Sequence, residues 1–129
     1  MSQDQDQSFA RILNNVRIGN GASAVTYDSR LDAAAQAHAD DMVVRGYFSQ
    51  TSPEGDEVYD RIVLQGYQPT AWGENLAGGQ QSEAAALRAW ENSVAHDLMM
   101  NAESLEEFGL GVAGTGSNIR WVLVMATEG

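Results

Sequence analysis

The sequence has no cysteine, only two prolines, and no apolar run approaching the length of a membrane span. The missing cysteine excludes disulfides, thiolate zinc sites and cysteine nucleophiles. Lysine is absent too, so the seven basic residues are all arginines, against 18 acids, for a net charge of −11. An acidic chain of this kind repels phosphate backbones and anionic bilayers, which argues against nucleic-acid partners and membrane-surface binding. Spread over a solvated surface, the same charge resists aggregation. A transmembrane helix needs about 20 apolar residues, and no such segment is present. The opening MSQDQDQSF lacks the basic and apolar regions of a signal peptide. Residues 1–7 are therefore expected to be disordered or a remnant of expression, with a single domain over 8–129. At 129 residues the chain can bury a core without cross-links.

What is present divides by period. Phe9, Ile12, Leu13 and Val16 recur at helical spacing, and Gly19 and Gly21 follow as a stop. A second helix is expected from Ser29, with Ser29 and Asp32 as a capping box and Gly46 as its end. Its apolar stripe, Leu31, Ala34, Ala35 and Met42, has His38 in the middle. SQTSPEG at 49–55 reads as loop. Val58, Tyr59, Ile62 and Val63 predict a short third helix closed by Gly66. A fourth starts with Ser82 as cap, buries Ala86, Leu87 and Trp90, and restarts after Asn92 with Ser93 capping SVAHDLMM.

The last third alternates instead. Phe108–Val112 and Ile119–Met125 each read as strands, joined by the turn GTGSN into an antiparallel hairpin. Glycines 109 and 111 among large residues imply that something packs closely on that face. Helices followed by strands indicate an α+β domain with helices on its sheet.

One stretch does not fit either period. WGENLAGG at 72–79 sets a single acid and an amide among glycines and apolar residues, where small neighbours let other backbone press close. Glu74 is expected to point into a pocket, or else to accept hydrogen bonds from a neighbouring loop and lock it. No Gly-x-Ser-x-Gly, His-Glu-x-x-His or P-loop motif accompanies it. The doublets Asp40-Asp41 and Glu106-Glu107 are taken as solvated charge, and His38 as a core histidine satisfied by one partner.

In chain order, LNNVR (13–17), YDSRLDAAAQAHADDM (27–42), GYFSQTSPEG (46–55), DRIVLQGY (60–67), GENLAGG (73–79), AWENSVAH (89–96), FGLGVA and WVLVM form a recognisable series. It resembles the CAP superfamily of cysteine-rich secretory proteins, antigen 5 and pathogenesis-related 1 proteins, in its short cysteine-free bacterial form, from about Phe9 to Met125. The resemblance implies a three-layer α-β-α sandwich with a small antiparallel sheet between helices, and an extracellular or cell-envelope location. In the family a cavity is lined by histidines and glutamates, which in eukaryotic members hold a divalent metal. Lipid or sterol binding, protein signalling and hydrolysis have all been assigned to members.

Carried over residue by residue, the resemblance makes Glu74 the family glutamate, Asn75 its neighbour and His96 the histidine of the bacterial Trp-x-x-Ser-x-x-His segment. Gln50 stands where a histidine is usual, and Ser93 where the second glutamate is usual. The expected ligand cleft is Gln50, Glu74, Asn75 and His96. A glutamine amide is neither a base nor a good zinc ligand. Glu74 and His96 would then give at most weak divalent-metal binding, and no other cofactor is expected. On this reading Gln50→His strengthens zinc binding, with His96 required for the gain. The depleted set favours a secreted, non-catalytic binding module whose ligand is a lipid, glycan or protein. The alternatives are a weak hydrolase using His96 and Glu74 as its catalytic pair, and an envelope-associated structural domain.

Overall fold

The computed structural model describes the chain from Gln3 to Gly129. The first helix, α1 (Gln3–Gly19), extends back through residues expected to be disordered. It buries Phe9 and Leu13 and is followed by a two-residue strand, β1 (Thr26–Tyr27). Next come α2 (Ser29–Arg45), α3 (Val58–Leu64), β2 (Pro69–Gly78), α4 (Glu83–Glu91) and α5 (Val94–Met100). The chain ends in the hairpin of β3 (Glu107–Ala113) and β4 (Arg120–Glu128).

Two caps differ from expectation. Asp28, not Ser29, caps α2: its carboxylate accepts from the amides of Arg30 at 2.8 Å and Leu31 at 3.4 Å. With Asp28 as cap, Asp32 lies one position past the place a capping box needs, and its Oδ1 accepts from the Leu110 amide of β3. Ser93 does occupy the start of α5, but its hydroxyl makes no capping bond there. At the other end of α2, Gly46 has φ +71° and its amide donates to the Met42 carbonyl, ending the helix in the left-handed conformation glycine tolerates.

The strands form one sheet in the order β1-β3-β4-β2. β3 and β2 both run antiparallel to β4, while β1 pairs parallel with β3 over its two residues. WGENLAGG, which fits neither period, falls almost wholly in a strand: residues 69–78 form a sheet edge, with Glu74 opposite Val124 and Asn75 opposite Leu123. Glycine, Asn and Glu are poor strand formers, so local preference hid a strand that pairing with the apolar β4 enforces.

Helices cover both faces. On one side α1, α4 and α5 enclose Phe9, Leu13, Trp90, Phe108, Leu110, Trp121, Leu123 and Met125. On the other, α2 and α3 pack through Leu31, Ala34, Ala35, Ile62 and Tyr67 on Val122, Val124 and Ala126. Here α2 lies against β3 so closely that a Cβ on Gly109 would stand 2.1 Å from the Asp32 amide nitrogen, and one on Gly111 2.5 Å from the Ala35 carbonyl carbon. Side chains cap both sheet edges where no strand follows. Asp32 and Gln36 bond the Leu110 and Val112 backbone of β3, and the Gln50 amide and Trp90 indole donate to the Glu74 and Leu76 carbonyls of β2. An edge satisfied in this way does not invite another strand.

Candidate functional site

Side chains alternate along β2, and this decides where the expected site residues go. Glu74 points to the α2/α3 side, where its carboxylate meets Arg61 of α3, with Nη2 at 2.9 and 3.0 Å from its two oxygens. Asn75 points to the opposite side, and its amide donates to the His96 carbonyl of α5 at 3.1 Å. The four expected residues thus form two pairs. Gln50 joins Glu74 by donating to its backbone carbonyl at 2.8 Å; Asn75 joins His96. No hydrogen bond links Glu74 to His96 among the described residues. The difference follows from the strand, which sends the side chains of neighbouring residues to opposite faces.

Glu74 is buried, its side chain 1 % exposed. Burial raises its carboxyl pKa to about 7, against the opposing pull of Arg61 and with a further push from Glu57. Arg61 is itself the hub of this side. Its Nη2 also donates to the Gln50 carbonyl at 2.8 Å and its Nη1 to the Asp56 carbonyl at 3.2 Å, while its Nε is buried without a partner. Arg61 was overlooked in the sequence, although it sits in the DRIVLQGY segment. The signal was available in principle: a buried carboxylate needs a cation, and the chain has few.

His38 shares this side. It is 1 % exposed, its Nε2 bonds the Ser49 carbonyl at 2.8 Å, and its Nδ1 lies 3.4 Å from the Tyr47 hydroxyl. Burial, then the charge of Arg61, lowers its pKa, so the ring is neutral at pH 7, with Nε2–H donating to Ser49. The Tyr47 hydroxyl donates to Asp41, which also accepts from Arg45. Asp41 is therefore not a solvated charge, and neither is Glu107, which accepts from the Tyr67 hydroxyl at 2.6 Å. Arg45 reaches on to Glu54 and holds that carboxyl down near 2.

Above this network is a cleft of about 240 Å3 lined by Ala37, His38, Asp41, Arg45, Ser52, Glu54, Asp56 and Arg61. Charged residues of both signs line it, although most of the surface they expose there is apolar. The loop at its mouth is pinned at Ser49 by His38 and at Gln50 by Arg61.

The model of the cysteine-rich secretory protein family matches residues 10–126. The chain belongs to that family. It is 27 % identical over 112 residues to the uncharacterized protein YkwD of Bacillus subtilis strain 168, covering 87 % of this chain and 44 % of that protein. The chain thus spans less than half the length of this curated relative. An extracellular protein of Bacillus anthracis containing an SCP domain superimposes with a TM-score of 0.88 at 23 % identity, over 99 % of this chain and 44 % of that one. An outer surface protein of Borrelia burgdorferi gives 0.86 at 18 % identity, over 100 % of this chain and 96 % of that one. At these identities the structural matches establish the fold, the α-β-α arrangement that the sequence series implied.

The family's metal finds no fitting donors around Glu74. A guanidinium already occupies the carboxylate, residue 50 is an amide, and residue 93 is a serine on the other side of the sheet. Among the described residues no three His, Asp or Glu side chains converge as a metal site. No helix among them is long and apolar enough to cross a membrane.

Proposed function

We propose that this member of the cysteine-rich secretory protein family is a non-catalytic binding module that works outside the cytoplasm, with the cleft over His38 and Arg61 as its ligand site. The observation that carries the reading is the closure of Glu74: both carboxylate oxygens meet Arg61 and its carbonyl meets Gln50. A general base must be free to reach the proton it removes. Here the carboxylate is spent on Arg61, and the basic nitrogen of the imidazole on the same side, Nδ1, faces the Tyr47 hydroxyl within a buried ring. A mixed-charge, largely preformed cleft with pinned walls suits recognition of a polar ligand. The extracellular and outer-surface descriptions of the two structural neighbours support the location.

The hydrolase alternative draws on one observation, the carboxyl of Glu74 near pH 7, where a general acid works best. The two readings separate experimentally. Chromogenic esters, glycosides and peptides should show no turnover that Glu74→Gln removes; turnover lost in that variant would overturn the binding role. Binding is tested by sedimentation with purified peptidoglycan and with phosphatidylcholine vesicles. Retention on one of these, abolished by Ala37→Trp at the exposed wall of the cleft, is the expected result. Retention untouched by that variant would move the ligand elsewhere.

A further inference from the structure

An aromatic pair stands exposed at the edge of the sheet, outside the cleft over His38 and Arg61. Tyr59 lies in the first turn of α3, and Trp72 lies in β2 on the face that Glu74 takes two residues on. Their ring centres are 4.9 Å apart and the ring planes tilt by 52°. Tyr59 is 42 % exposed and Trp72 45 %, whereas Trp90 and Trp121 are buried. The polar tips differ in the same way. Trp90 and Trp121 donate their indole N–H to the Leu76 and Gln80 carbonyls, and the Tyr47 and Tyr67 hydroxyls donate to Asp41 and Glu107. Among the described residues the Trp72 indole and the Tyr59 hydroxyl have no such partner. No guanidinium lies over either ring there; those contacts fall on Tyr47, Phe48 and Tyr67.

The backbone beneath the pair is open as well. Trp72 stands opposite Ala126 in the register, and the Ala126 carbonyl accepts from the Glu106 amide on the far side of β4. Trp72 and Ala126 are therefore a pair that exchanges no bond across the two strands. Since β2 is the last strand of the sheet, the Trp72 N–H and C=O turn outward, a donor and an acceptor side by side without a protein partner among the described residues.

These features select among ligands. Rings in mutual contact leave no gap between them for an ammonium headgroup to enter. An extended peptide would find its ladder broken, because the next outward carbonyls, of Glu74 and Leu76, are taken by Gln50 and Trp90. A proline-rich segment has no N–H to give the Trp72 carbonyl. A net charge of −11 disfavours an acidic ligand. A pyranose with equatorial substituents is uncharged and presents a flat face of C–H bonds, which suits the negative face of an aromatic ring. At a tilt of 52° a flat sugar can lie on only one ring, so the other meets a substituent. An apolar substituent with its own acceptor, the acetamido group, fits that corner and the outward N–H together.

We propose that Tyr59 and Trp72 form a binding platform for a neutral oligosaccharide of β-linked N-acetylglucosamine. One sugar lies on the Trp72 indole with its acetyl methyl against Tyr59, its acetamido oxygen accepts from the Trp72 N–H, and a hydroxyl donates to the Trp72 carbonyl. The proposal does not rest on the cleft as ligand site. Triacetylchitotriose titrated into the whole chain and followed by NMR tests it, with saturable shifts expected at the indole and backbone N–H of Trp72. Cellotriose, which lacks the acetamido group, should bind weaker by about tenfold. Muramyl dipeptide, an acidic relative of the same sugar, should also bind weaker, and choline should give no saturable shift. Both rings are exposed, so their variants keep the fold. Trp72→Ala should abolish binding; Tyr59→Ala should weaken it several-fold and narrow the preference over cellotriose. Ala37→Trp, which blocks the cleft, should change nothing. No saturable shift with triacetylchitotriose, equal binding of cellotriose, tighter binding of muramyl dipeptide or choline, or binding that survives Trp72→Ala or is lost in Ala37→Trp would overturn the proposal.

Discussion

Under α1, α4 and α5 the sheet presents Phe108, Leu110, Trp121, Leu123 and Met125, which interlock with Phe9, Leu13 and Trp90, whereas under α2 it presents glycines 109 and 111 to a helix of alanines. The first face is filled by side chains, with Phe9 and Trp90 edge to face at 6.3 Å. The second is filled by letting backbone approach backbone. Each face also holds an arginine, Arg17 buried and Arg61 partly so, and the two are used differently. Arg17 donates only to the carbonyls of Ser23, Met100, Ala102 and Leu105, and so ties the segment after α5 to α1. Arg61 faces a carboxylate that titrates near neutrality, beside an imidazole and a cleft. The side-chain-filled face holds the fold, and the backbone-packed face, completed by α3 and the loop before it, carries the polar chemistry.

Substitutions test this contrast most severely at its tightest point. Valine at Gly109 would place its Cβ 2.1 Å from backbone of α2, a clash no rotamer relieves. To accommodate it α2 must lift, losing the packing of Leu31, Ala34 and Ala35. The expected outcome is loss of the folded state, a penalty at least as large as the roughly 5 kcal/mol at the lower end of domain stabilities. On the other face Trp90→Ala removes side-chain volume without moving backbone, and should cost about 3–5 kcal/mol while leaving a cooperative transition. Urea denaturation followed by circular dichroism compares them. Gly109→Val folding with nearly native stability would mean that the close approach of α2 is not what holds that face.

A smaller effect separates these two arginines. Folding raises the Glu74 carboxyl from 4.5 to about 7. The native state then binds more protons than the unfolded state between those values, so this group's contribution falls as pH rises from about 4.5 to about 7 and is flat above. The amplitude is at most about 3 kcal/mol. His38 acts in the opposite sense: its lowered pKa makes stability rise with pH up to its ordinary 6.5. The raw profile mixes the two, and the difference between the native chain and Glu74→Gln isolates the carboxylate. That difference should grow in favour of Glu74→Gln from pH 4.5 to 7. A pH-independent difference would place Glu74 among ordinary paired carboxylates, as fixed in role as Arg17 is.

What could be read in advance follows the same division. The helical stripe of α1, the caps at Ser82 and Gly46, and the hairpin of β3 and β4 were legible because periodicity and local chemistry agree there. The glycines of β3 announced close packing because alternation made their face plain. β2 was illegible as a strand: its alternation is blurred by Gly73 and Gly78, and its pairing with β4 is a long-range fact. Without that strand Glu74 and His96 could share a cleft, when Asn75 is the residue that reaches α5. The burial of Glu74 could be anticipated from its neighbours, but its partner Arg61 required knowing how α3 lies on the sheet.

The smallest expected effect is the most direct check on that correction. Zinc at neutral pH takes several converging N or O ligands, usually four in a structural site. Glu74 offers oxygens already bonded to a guanidinium, and His96 belongs to the helix on the far face. The native chain should therefore bind Zn2+ no tighter than the micromolar range, about −8 kcal/mol or weaker. Gln50→His sets an imidazole beside the Glu74 carbonyl, where the amide of Gln50 now bonds, but next to the positive charge of Arg61. Its gain should stay below about tenfold, short of what a further well-placed ligand provides. The sequence alone suggested that His96→Ala would abolish that gain; with the helix of His96 packed on the opposite face of the sheet from Glu74, it should leave the gain unchanged. Isothermal titration of the native chain, Gln50→His and the double variant with His96→Ala reads all three. A gain that vanishes with His96 would put residues 50 and 96 on one metal, and the separation of the two faces at β2 would have to be abandoned.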